Sequence, residues 1–136
     1  MISNQPKYSL INTDIDFMHY CSEFVTGQDG CLYAFPRYSK GKVIQFHPFS
    51  LKKNDVGQCN GRYEGCYQSV ASKNGSIYVI LRSLSKFYKY DTISREISQI
   101  RHSLGANWIC GVLAKDGCIY CMPLSDTYHI LRLNTF

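Results

Sequence analysis

Seven cysteines and four histidines are the side chains of this 136-residue chain best equipped for chemistry. His19, His47, His102 and His129 each fall in a different repeat context, so no local motif gathers them into a metal site. Cys118 and Cys121 have the two-residue gap of a CxxC pair, but no second ligand pair accompanies them. Both fall in an expected strand, where alternation sends them to opposite faces. Cys/His catalysis needs a positioned pair with an orienting group, and the sequence singles out none. The glycines match neither dinucleotide nor P-loop spacing. Asp29 and Asp116 share a repeat column with Asn74, which assigns that position to turn formation rather than acid–base work. The expectation is a chain without enzymatic activity, metal or cofactor.

Recognition chemistry is better represented. Arg37, Tyr38, Arg62, Arg82, His102, Asn107 and Trp108 are the candidate partner-binding residues. Arg, Tyr and Trp are the types enriched at binding hot spots. Against this stands a plainer account, in which Trp108 packs between structural units and the arginines are solvated.

What would gather these residues is a repeat. Asp29-Gly30-Cys31-Leu32-Tyr33 returns as Asn74-Gly75-Ser76-Ile77-Tyr78 and as Asp116-Gly117-Cys118-Ile119-Tyr120. Val25, Val70 and Val112 precede the three glycines by five residues, and Tyr33, Tyr78 and Tyr120 follow by three. Further on, an apolar residue leads into a polar turn at Phe46-His47-Pro48, Tyr90-Asp91-Thr92 and Leu133-Asn134-Thr135. A turn and a β-branched, aromatic run recurring every 40–50 residues is the sequence form of propeller blades. The recurring tyrosines then belong to the core.

The fold class is therefore all-β, three four-stranded antiparallel blades per chain. In the middle blade the strands, a to d from the axis outward, are expected at 66–72, 76–81, 87–91 and 96–100. The Asn74-Gly75 pair marks the a–b hairpin. The first blade gives a at 21–26, b at 31–35, c at 43–47 and a weakly marked d within 51–59. The third gives a at 109–114, b at 118–122 and c at 129–134. The blades divide at about 14–60, 61–104 and 105–136, a single half-propeller domain. The segment Lys7–Ile11 stands where the outer strand of a preceding blade would be. Letting it complete the last blade removes an open sheet edge. Since propellers have 4–8 blades, two chains joined head to tail would make one six-bladed ring. A fragment whose other blades are missing is the competing account.

The stretch Asn74-Gly75-Ser76-Ile77-Tyr78-Val79-Ile80, then Tyr88-Lys89-Tyr90-Asp91-Thr92 and Glu96-Ile97, resembles the kelch repeat. Leu81-Arg82, Pro36-Arg37 and Pro123-Leu124 replace the family's double glycine, and Ile97 its tryptophan. The resemblance implies a protein-interaction module, an adaptor or a competitor of a longer relative. It would bind its partner through the b–c loops (36–42, 82–86, 123–127) and d–a loops (60–64, 103–108, with 13–18 at the start). A lectin-like propeller binding carbohydrate is the alternative.

Composition fits these expectations. Hydrophobic residues make up 45% of the chain and aromatics 14%, enough for a core. The net charge of +5 is spread out, with only Lys52-Lys53 adjacent, which disfavours nucleic acid. No apolar run is long enough to span a bilayer. The odd cysteine count and absence of a signal peptide suggest small buried thiols in a reducing, cytoplasmic compartment.

Overall fold

Three glycines set where the chain folds back. Gly30, Gly75 and Gly117 have φ of 78°, 88° and 81°, a region glycine enters without steric cost. The preceding Asp29, Asn74 and Asp116 do not share it: the non-glycine residues found there are Leu51 and Arg95. The hairpins are thus not the two-residue kind that Asn74-Gly75 suggests. Gly30 and Gly117 each donate to the carbonyl three residues back (Gly27 and Ala114, both 3.0 Å), as in a type I turn closed by a left-handed glycine. The Asp or Asn Oδ1 accepts the N–H two residues on, from Cys31 (3.0 Å), Ser76 (3.2 Å) and Cys118 (3.0 Å). That local bond is why the column admits only Asp and Asn.

The computed structural model describes residues 7–20, 23–37, 41–58, 66–81, 86–101, 108–123 and 129–136. They form three antiparallel sheets. The first runs β1 (Val25–Thr26), β2 (Leu32–Ala34), β3 (Lys42–Phe46), β4 (Lys53–Gln58). The second runs β5 (Cys66–Ala71), β6 (Ser76–Leu81), β7 (Lys86–Asp91), β8 (Ile97–Arg101). The third has three strands, β9 (Trp108–Leu113), β10 (Ile119–Pro123) and β11 (Leu131–Leu133), and β11 is its open edge. Sequential strands are neighbours throughout, and β5 lies against both β1 and β9, so the sheets stack face to face around their first strands.

The middle sheet explains the stacking. All of Ser76–Ile80 is buried, and strand alternation divides these side chains between two cores. Ile77 and Val79, with Tyr88 and Tyr90, meet Tyr33, Phe35, Val43 and Val56 of the first sheet. Tyr78 and Ile80, with Val70 and Phe87, meet Trp108, Ile119, Cys121 and Leu131 of the third. A β-bulge makes Val56 the extra residue between the Val43–Gly57 and Ile44–Asp55 pairs. The buried Tyr90 hydroxyl donates to the Val56 carbonyl at 2.7 Å, supplying the bond that the bulge takes from the ladder.

Residues 7–13 are irregular, with Tyr8 and Leu10 exposed. The strand expected over Lys7–Ile11 makes no ladder within its own chain. The following residues form a strap over the first sheet. Asp14 pairs with Lys53 of β4, and Phe17 packs on Phe24 (centroids 5.6 Å apart). A short 3-10 turn at Phe17–His19, whose Met18 N–H bonds to Asp16 Oδ1 (3.1 Å), leads to a bridge between Tyr20 and Pro36.

Candidate functional site

At the ends of the sheets opposite the glycine turns the described residues place two of the expected binding residues, Arg37 and Trp108. Tyr38, Arg62, Arg82, His102 and Asn107 lie outside the described residues. Arg37 is exposed beyond β2. It is tied to the strap by its N–H to the His19 carbonyl (2.8 Å) and its Nε to the Tyr20 carbonyl (2.9 Å). Trp108 opens β9 opposite Pro123 and is only 3% exposed, packed between the second and third sheets. Its ring is therefore a core ring. Its indole Nε1, however, is buried with no hydrogen-bond partner, and buried donors are normally satisfied. Among the described residues two buried side-chain polar atoms lack a partner, Ser69 Oγ and this indole nitrogen, and the latter opens β9.

A second cluster, which the sequence did not single out, lies at the turn end of the first sheet. The Cys31 Sγ is 3.2 Å from His47 Nδ1, and His47 Nε2 is 3.4 Å from the Asn54 amide nitrogen. The β2–β3 register predicts the first contact: Leu32 pairs with Phe46, so the next step outward sets Cys31 against His47. Alongside, Asp29 accepts from the Tyr33 hydroxyl (2.6 Å) and the Gln45 amide (3.2 Å).

The composition is that of Cys-His-Asn nucleophilic catalysis, but the electrostatics oppose it. Burial, then the neighbouring Asp29 carboxylate, raises the Cys31 pKa, so the thiol is neutral near pH 7. An activated thiol needs the reverse, a cationic setting that lowers its pKa. The roles of the two His47 nitrogens follow its tautomer: where Asn54 donates to Nε2, the imidazole proton sits on Nδ1, facing the sulfur. Burial works to raise the Asp29 pKa, but bonds from Tyr33, Cys31 and Gln45 together hold it below the usual carboxylate range. The third sheet repeats part of the device: the Tyr120 hydroxyl bonds Asp116 at 2.7 Å and, with the Cys118 N–H, lowers its pKa. This repetition marks the Asp–Tyr pairs as turn architecture.

Cys31, Cys110, Cys118 and Cys121 are free thiols. Burial, then Cys110 nearby, pushes the Cys121 pKa up to about 12. Among the described residues no group of three or more metal-ligating side chains occurs. Among the described residues no helix is long and apolar enough to cross a membrane. A polar groove of roughly 540 Å³ runs between the first and second sheets, lined by Gln58, Tyr88, Asp91, Arg95 and Glu96 among others.

No protein-family model matches the chain, and no curated protein does. Solved structures match closely in shape. A virginiamycin B lyase of Staphylococcus aureus, in a catalytically inactive form with quinupristin, superposes with a TM-score of 0.64 at 9% identity over 93% of this chain and 43% of its own. An auxiliary nutrient binding protein of Bacteroides ovatus gives 0.62 at 17% identity, over 82% of this chain and 28% of its own. A streptogramin B lyase gives 0.57 at 12% identity. These are propeller proteins. The fold is β-propeller-like. The chain spans less than half the length of each of these neighbours. The likeness corrects one expectation: lacking a local catalytic motif does not make this chain a non-enzyme, because neighbours on the same scaffold are lyases. In blades, catalytic groups can come from separate loops, which short-range spacing does not reveal.

Proposed function

We propose that the chain is a half-propeller, completed to six blades by a second copy, that binds a protein partner across its loop end. The observation that carries the binding end is the Trp108 indole N–H, buried and unmet where the third blade begins. A polar group from a bound partner, reaching between the second and third blades, would satisfy it. Exposed Arg37 occupies the corresponding end of the first blade, and a guanidinium there suits carboxylates and carbonyls. The kelch resemblance of the middle blade favours a protein as the partner. Trp108 is the chain's one tryptophan, so its fluorescence reads this end directly. Affinity capture with the wild-type chain and an Arg37→Ala/Arg82→Ala variant tests the proposal. Loss of the captured partner with an unchanged melt supports it, and undiminished capture sinks it.

A second reading, carbohydrate binding, is favoured by the polar groove between the first two blades, whose mixed donors and acceptors suit hydroxyl groups. A glycan array without signal removes it.

A further inference from the structure

Each blade presents the same forward-facing set of side chains, and only the last set is bare. In the second blade, Gln68, Ile80 and Phe87 stand in one cross-strand row and Val70, Tyr78 and Lys89 in the next. In the third blade the corresponding rows are Cys110 and Met122, with Ile130 next along the β10–β11 register just before β11, then Val112, Tyr120 and Arg132. Val70, Ile80 and Phe87 are 8%, 1% and 2% exposed, because the third blade covers them. Their counterparts Val112, Met122 and Ile130 are 65%, 61% and 70% exposed. In the first blade, Tyr33, Phe35 and Val43 of the same set are sealed by the second. The third face thus has the composition of a blade-to-blade junction without its covering blade. Clustered apolar side chains of this size on a sheet face mark an interaction surface.

The covering element is defined by what fits the other two faces. It is the backward side of a blade: Ile77, Val79, Tyr88 and Tyr90 against the first blade, and Ile119, Cys121 and Leu131 against the second. The chain carries one more such side, already covered within its own chain, where Ala34 and Ile44 are only 3% and 4% exposed. Leu32 and Phe46 share a row on the first blade, as do Ala34 and Ile44, all on the side away from the first core. We infer that the forward face of the third blade docks the backward face of the first blade of a second copy, through Val112, Met122 and Ile130. This rests on the six-bladed reading and names the surface that produces it. The contact is heterologous, and two such contacts close the ring. The strap lies on this backward face: its anchor Lys53 shares the row of Leu32 and Phe46. Docking therefore displaces residues 14–20.

Light scattering on size-exclusion fractions across a dilution series tests the assignment. The wild-type chain is expected near twice 15.6 kDa, and a Val112→Asp/Met122→Asp variant at the single-chain mass with its folded circular-dichroism spectrum retained. Ile130→Lys repeats the test at the outer rim should the paired acids unfold the blade. Wild-type chain that is monomeric at every concentration overturns the docking together with the six-bladed reading. A dimer that survives the substitutions overturns the docking surface alone. The Arg37→Ala/Arg82→Ala variant is expected to stay dimeric, which separates this contact from partner binding at the loop end.

Discussion

Replacing Tyr90 by Phe isolates one hydrogen bond at the junction of the first two blades. The ring stays, so its contacts with Tyr33 (centroids 5.9 Å apart) and Phe35 (5.6 Å) are kept. What is lost is the 2.7 Å bond to the Val56 carbonyl. That carbonyl belongs to a bulge residue only 3% exposed, so neither the ladder nor water readily replaces the donor. An abandoned buried acceptor costs about 1–3 kcal/mol, and the central figure is ~2 kcal/mol. With a urea m-value of about 2 kcal/mol/M for a domain of this size, the unfolding midpoint drops by about 1 M at constant slope. The melting temperature falls by roughly 6–10 °C. Urea titrations followed by circular dichroism measure both. A midpoint unchanged at equal slope would refute the claim that Tyr90 repairs the bulge.

Three further outcomes follow from the geometry. Gly111→Ala should destabilise by about 1–3 kcal/mol in a thermal melt, the usual range for overpacking, because a Cβ there meets Ile80 Cδ1 at 2.9 Å and Cys121 Sγ at 3.0 Å. Asp29, Asp91 and Asp116 all have lowered pKa values, so the stability they contribute is complete above the unfolded carboxylate value near ~3.9 and disappears as pH falls through the folded values. Asp29→Asn/Asp116→Asn should flatten the acid limb of a pH–stability curve below about pH 4, and an unaltered limb would count against it. Deleting residues 1–16 removes the Asp14–Lys53 anchor and should raise the dimer fraction at a fixed concentration, read by light scattering. A lower fraction would show that these residues assist docking instead.

The repeat columns made most strands legible. The middle blade's b strand, expected at 76–81, is β6 as observed, because turn-forming and apolar residues specify the same hairpin. The outer strand β4 was weakly marked for a physical reason: Lys53, Asn54 and Asp55 are exposed, and with Val56 its one buried residue the strand carries no alternation. The turn before it hid a further feature. Leu51 and Arg95 take positive φ (58° and 63°) at matching places in two c–d turns, where no glycine announces the conformation. Cys31 and His47 sit sixteen positions apart and meet only through register. Trp108 shows the limit of residue type: the ring belongs to the core, yet its N–H stays unmet.

Side-chain-to-backbone bonds join the blades most densely at one end. Gln28 Nε2 bonds the Ser72 carbonyl (3.3 Å), Lys73 Nζ the Lys115 carbonyl (3.1 Å) and Asn74 Nδ2 the Thr135 carbonyl (2.9 Å), all at the glycine-turn end. The arrangement is that of a hand fan riveted at its narrow end. Two further bonds, the Tyr90 hydroxyl to the Val56 carbonyl and the Gly111 N–H to Gln68 Oε1, hold the same leaves further along, so small adjustments in opening are left to the far rim. A body wedged between two leaves there would change the angle that three leaves subtend, and with it how well two fans meet edge to edge.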